Sequence, residues 1–225
     1  MIERIRAWAA RHTEQDRYSP VGIVFHWVMA FMVMFQLVWG FYTGFLYPGG
    51  DKLLAFRVHS AVGLPILLLG LMRLVWRMIV PGPTNDADDQ GWQTKASYAV
   101  HYAFYVCFFG LPLSGWALWS SVAEPGPLYL AGVIPWPQLP FAELPLTTRW
   151  LILDWAEDVH FWLVWALVIL VPVHIGAALK HHFWDRHDVL RGMLPEVPDD
   201  PRAVRRHKRR ERRSQPPSAA GLSEA

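Results

Sequence analysis

The chain has 225 residues, 53% of them hydrophobic and 13 of them tryptophan, with a formal net charge of +2 at pH 7. Long uncharged runs in such a composition exclude an ordinary soluble domain and place the chain among membrane proteins. The single cysteine, Cys107, excludes intrachain disulfides, cysteine-held iron–sulfur clusters and covalent attachment of a cofactor through paired cysteines, and neither a glycine-rich phosphate loop nor a dinucleotide fingerprint occurs.

Ile2, Ile5, Trp8 and Ala9 predict a short amphipathic helix lying in the membrane interface. Ser19 and Pro20 then suit an N-cap and a first helical position. They open an apolar run over 21–46 that is longer than a signal-peptide core and is followed by no small-residue cleavage site, so it is expected to be retained. Further apolar runs cover 54–80, 96–121 and 156–180, each sufficient for a hydrocarbon layer that takes roughly 20 helical residues. The expected fold class is all-α: an integral membrane four-helix bundle, with kinks at Pro112 and Pro172 where neighbouring helices re-satisfy the backbone.

Between the third and fourth runs, the stretch AEPGPLYLAGVIPWPQLPFAELPLTTRW, 123–150, has too many prolines for a regular helix. Trp136, Trp150 and several leucines there fit a lid in the headgroup region. Residues 196–225 are polar and basic, cannot bury a core and are expected to be disordered, leaving 1–195 as the membrane domain. Beside a membrane the basic run suits anionic lipid headgroups or the enforcement of topology, not nucleic acid. Every lysine and arginine except Lys52, Arg57 and Arg149 falls on the side of the bundle that holds the termini, which predicts that both termini are cytoplasmic.

The stretch VHFWLVWALVILVPVH, 159–174, carries a histidine near each end of an uncharged run. Fourteen residues return a helix to within about 40° of its starting face after about 21 Å of rise. His160 and His174 therefore look the same way from two membrane levels. A lone histidine in such a helix serves either as a ligand or as a hydrogen-bonding neighbour. The other runs repeat the two levels: His26 is followed at fourteen residues by Gly40, and His59 by Arg73. With alternating helix directions, His26 shares the cytoplasmic level with His174, and His59 the outer level with His160.

Two pairs with no accompanying cysteine or buried carboxylate suit haem, which needs two axial ligands, better than zinc, which usually takes four. Bis-histidine ligation leaves no open position and favours electron transfer. Gly40 and Gly63 serve either to admit the macrocycle or to let helices pack closely. Arg73 and Arg57 sit where propionates need partners. His101 is open to three roles, as a propionate partner, a quinone-pocket residue or a replacement ligand, and is placed beside the ligands. His181 and His182, at the exit of the last run, are either surface residues or proton suppliers to a reduced quinone.

The segments RYSPVGIVFHW, RVHSAVG, LMRLVWR, HYAFYVCFFGLPLSGW, VHIGAALKHHFW and LRGMLP resemble the bacterial cytochrome b561 family of dihaem membrane cytochromes, over most of residues 17–195. The resemblance implies a bacterial inner-membrane protein whose His26, His59, His160 and His174 hold two haems b, in the pairing reached from topology. The family includes an activity that oxidises superoxide and passes its electrons to ubiquinone, and this is the expected function. Charge adds a reason: Asp51, Glu124, Glu143, Asp154, Glu157 and Asp158 make the outer face acidic, so Lys52, Arg57 and Arg149 are candidates for collecting a small anion. The alternative is a b-type anchor subunit passing electrons between quinone and a hydrogenase- or dehydrogenase-like partner. A histidine-lined metal transporter, which would bind no haem, is the third class.

Overall fold

The computed structural model describes residues 1–13, 17–80, 91–123, 126–184 and 189–194. The link 81–90, Glu124 and the basic tail expected at 196–225 lie outside the described residues. The elements belong to one unit, Met1–Met193.

Helix α1 (Ile2–Thr13) is the expected amphipathic segment, and the Arg6 Nε donates to the Ile79 carbonyl at 3.1 Å. Helix α2 (Pro20–Phe45) starts as its sequence requires. The Ser19 Oγ accepts the Gly22 amide at 3.2 Å, and Pro20 stands in the first turn, where a backbone N–H has no intrahelical acceptor. The Trp76 indole also donates to Ser19 Oγ, at 3.1 Å, which ties this start to the end of α3 (Gly50–Ile79). Helices α4 (Trp92–Ser121) and α5 (Leu146–Phe183) run as single elements through Pro112 and Pro172. Helix α5 begins ten residues before its apolar run because a helix needs apolar side chains only inside hydrocarbon, and 146–155 carries Arg149 and Asp154. A short α6 (Val189–Gly192) follows. The Gly192 carbonyl accepts the Tyr18 amide, and the Met193 carbonyl accepts the Trp27 indole at 2.7 Å.

Among the described residues four helices, α2 to α5, are long and apolar enough to cross a membrane. Phe31, Val38, Met78, Trp162 and Ile169 stand on their exterior, an exposed apolar surface that lipid covers. The chain is an all-α integral membrane bundle. Its centre is formed by Met29 and Val33 of α2, Ile66 of α3, Cys107 of α4 and Leu167 of α5. Close backbone neighbours are α2 with α3, α3 with α4 and α4 with α5. The last seam is tight at Gly110, where any Cβ would collide with Leu163. Backbones of α2 and α5, and of α3 and α5, stand further apart, and the histidines reach across those gaps.

The proline-rich segment forms a small antiparallel hairpin, β1 (Leu128–Leu130) with β2 (Ile134–Trp136), in the register Leu128↔Trp136 and Leu130↔Ile134. Its turn places Ala131 (φ 53) and Gly132 (φ 76) in the left-handed region. Pro65, inside α3, has no N–H to give the carbonyl four residues earlier. That carbonyl, Ala61, accepts the Ala131 amide of the hairpin at 3.1 Å instead. Further bonds hold the segment against the end of α4: the Trp116 indole to the Pro137 carbonyl at 2.9 Å, the Trp119 indole to Gly126 at 2.7 Å, and the Leu139 amide to Ser120 Oγ at 3.1 Å.

Candidate functional site

Two pairs of imidazoles face one another inside the bundle. His26 of α2 and His174 of α5 have ring centroids 6.1 Å apart at 51°, and His59 of α3 and His160 of α5 have centroids 6.2 Å apart at 66°. Both separations are too long for a direct ring-to-ring hydrogen bond. An iron bound by two opposed imidazole nitrogens at about 2 Å each would set the centroids roughly 6 Å apart. Among the described residues no group of three or more His, Cys, Asp or Glu could hold a metal ion. The donor chemistry is thus wrong for a structural metal centre and right for haem iron, which needs two axial ligands and takes its other four from the macrocycle. The residues present fit a haem at each pair.

Each ring of the second pair rests against a glycine. A Cβ at Gly40 would lie 3.2 Å from His59 Cε1 and 3.6 Å from Nδ1, and one at Gly115 would lie 3.5 Å from His160 Cε1. A Cβ at Gly63 would meet the Gln36 amide nitrogen at 2.8 Å. Gly40 and Gly63 therefore make room for a histidine ring and a glutamine where α2 packs on α3. Gln36 Nε2 donates to the His59 carbonyl at 2.8 Å, while Gln36 Oε1 and His59 Nδ1 are buried with no hydrogen-bond partner among the described residues. His160 Nδ1, by contrast, lies 3.0 Å from Ser114 Oγ.

At the first pair, Arg73 Nη2 approaches His26 Nδ1 at 3.4 Å, so this arginine reaches the level expected of it and touches the ring itself. His101 lies edge-on to His174, with centroids 5.6 Å apart, and its Nδ1 is 2.6 Å from the Ser97 carbonyl. It flanks the pair and does not stand between its members. Phe104 packs on the same ring at 5.3 Å. His181 and His182 lie in the last turn of α5, and His182 Nδ1 is buried with no hydrogen-bond partner among the described residues.

Lys52, Arg57 and Arg149 have different surroundings. Lys52 Nζ stands 6.0 Å from the centroid of the Phe56 ring. Arg57 is exposed and, with Val58, Ser60, Pro127, Tyr129 and others, lines a cavity of about 210 Å³ between α3 and the hairpin. Arg149 is buried, and its Nη2 donates to the carbonyls of Ser121, at 3.3 Å, and Val122, the end of α4. A cation there satisfies carbonyls that the helix leaves open. Replacing Arg149 by methionine should lower stability by about 1.5–3 kcal/mol, the usual worth of hydrogen bonds to a charged group. Thermal denaturation in detergent reads this directly, and an unchanged midpoint would mean that the α4 carbonyls find other donors.

Ser114, Gly115 and Gln36 are absent from the sequence-derived site. The available signal was weak but real: Ser114 and Gln36 are polar residues inside apolar runs, and such residues in membrane spans face the protein interior.

Comparison with known proteins completes the description. The family model described as prokaryotic cytochrome b561 matches residues 17–196. The chain is similar to cytochrome b561 homolog 2 of Escherichia coli (strain K12), with 32% identity over 193 residues covering 82% of this chain and 95% of that protein. It is similar to cytochrome b561 homolog 1 of the same organism at 26% identity, covering 80% and 98% of the two chains. A protein of Yersinia pestis named probable superoxide oxidase CybB is 23% identical, over 80% of this chain and 97% of its own length.

Proposed function

Since this chain belongs to the prokaryotic cytochrome b561 family, and is a b-type cytochrome of the membrane, we propose that it oxidises superoxide at the His59 and His160 end of the bundle and reduces ubiquinone with the electrons. The observation that carries the reading is the pair of facing imidazoles at each of two levels, about 21 Å apart along α5. The likeness to the Yersinia pestis protein supports the choice of superoxide.

In this reading His26 and His174 hold one haem b, and His59 and His160 a second. Bound haem supplies reversible one-electron chemistry. Held by these four histidines, the haems would serve electron transfer. The balance is two superoxide anions to two molecules of dioxygen, with two electrons and two protons converting ubiquinone to ubiquinol. Both termini are cytoplasmic, and residues 1–195 form the inner-membrane domain. Lys52 and Arg57, near the start of α3, draw a small anion toward the outer pair. Arg149, tied to the α4 carbonyls, contributes positive potential from a fixed position.

Rapid mixing of oxidised protein with superoxide at several ionic strengths tests the proposal. Haem reduction should be fast, weaken as salt rises, and slow by about 10-fold in Arg57→Gln, with ubiquinol accumulating when ubiquinone is supplied. Slow reduction indifferent to salt and to the substitution would transfer the assignment to the anchor-subunit role.

A further inference from the structure

We propose that Ser114 is a positioning residue for His160: its hydroxyl oxygen accepts the Nδ1 proton of the imidazole, so that Nε2 is the nitrogen offered to iron. The inference rests on the reading of His160 as a haem ligand. Ser114 is buried, 7% exposed, in the last third of α4. Its hydroxyl has one proton, and two backbone carbonyls compete for it, Gly110 at 2.7 Å and Leu111 at 3.0 Å. Carbonyls only accept, so the proton stays within α4 in the back-bonded arrangement of helical serines. What the oxygen presents to His160 Nδ1, 3.0 Å away, is a lone pair. A neutral imidazole facing an acceptor through Nδ1 carries its proton there and keeps the Nε2 lone pair free.

The neighbouring rings are treated differently. His59 Nδ1 is buried with no hydrogen-bond partner among the described residues, and His26 Nδ1 faces the Arg73 guanidinium, which can only donate. Of these three, His160 alone has an acceptor on Nδ1. Such an acceptor raises the basicity of a ligating imidazole and favours the more positive iron, which lowers the reduction potential of the haem.

The test uses the purified full chain and potentiometric titration of each haem band, alongside His160→Ala to identify the band that this residue serves. Ser114→Ala should raise the midpoint potential of that band alone, and Ser114→Thr, which keeps the hydroxyl, should restore it. Loss of that one haem in Ser114→Ala, with the other retained and Ser114→Thr fully loaded, supports the proposal equally, because the retained haem reports an intact fold. A His160-dependent band whose potential and occupancy are the same in Ser114→Ala as in the unaltered protein would overturn it. Retention of both bands in His160→Ala would instead overturn the ligand reading beneath it.

Discussion

Replacing His59 or His160 by alanine should each remove the same haem component, and replacing His26 or His174 should remove the other. The expectation follows from the two facing pairs, with centroids 6.2 Å and 6.1 Å apart, and from the distance between them along α5. Alanine has no nitrogen to offer, so a haem that loses one of two axial ligands loses its low-spin spectrum and, in most cases, its hold on the protein. The effect is as large as one substitution can produce here, a fall from two haems per chain to one. Reduced-minus-oxidised spectra with haem quantification read it out. If His26→Ala and His160→Ala resembled each other, the pairing would be wrong. His101→Ala should leave both components in place, since His101 packs on the edge of His174 and binds the Ser97 carbonyl.

The second large effect is expected from Gly40→Val. A Cβ there already falls 3.2 Å from His59 Cε1, closer than all but the tightest contacts of real Cβ atoms. Valine adds two further carbons in a stiff side chain, and the imidazole ring must turn out of its seat. Overpacking of this sort costs about 1–3 kcal/mol in ordinary cores. Here the greater loss is of function, because a displaced His59 no longer faces His160. The haem of that pair should be absent from Gly40→Val and the other retained, whereas Gly40→Ala should keep both. A fully loaded Gly40→Val would show that α2 does not fix the ring.

The helices and the levels of the histidines were legible in the sequence for one reason: in hydrocarbon, a helix must be apolar for its whole span and rises a fixed distance per residue. Residue spacing therefore converts into depth, and alternating helix direction converts depth into partners. That is how His26 is assigned to the level of His174, and the geometry brings those two rings together. What spacing does not encode is rotation about the bundle. Which flank of α4 meets α5 is set by packing at places such as Gly110 and Leu163, so Ser114 could not be aimed at His160 beforehand. The partners of Arg149 were not legible for a different reason. A charged residue just outside an apolar run carries no pattern that names what it bonds, and this one turns back to the carbonyls that end α4. The hairpin was hidden because three-residue strands carry too little alternation to register, and prolines argue against sheet.

The seat of that hairpin has a consequence for how such a protein can change over generations. Its acceptor, the Ala61 carbonyl, is available because residue 65 is proline, and its donor is a main-chain amide that nearly any residue at 131 could supply. Glycine or asparagine would take the left-handed backbone there more readily than alanine does. The bond that ties its turn to α3, two residues from His59 along the helix, thus asks nothing of the side chains of the hairpin, although Leu128 is buried. The exposed ones, Tyr129 among them, can drift, and with them the chemical character of that surface, while this bond is inherited through one proline in the membrane.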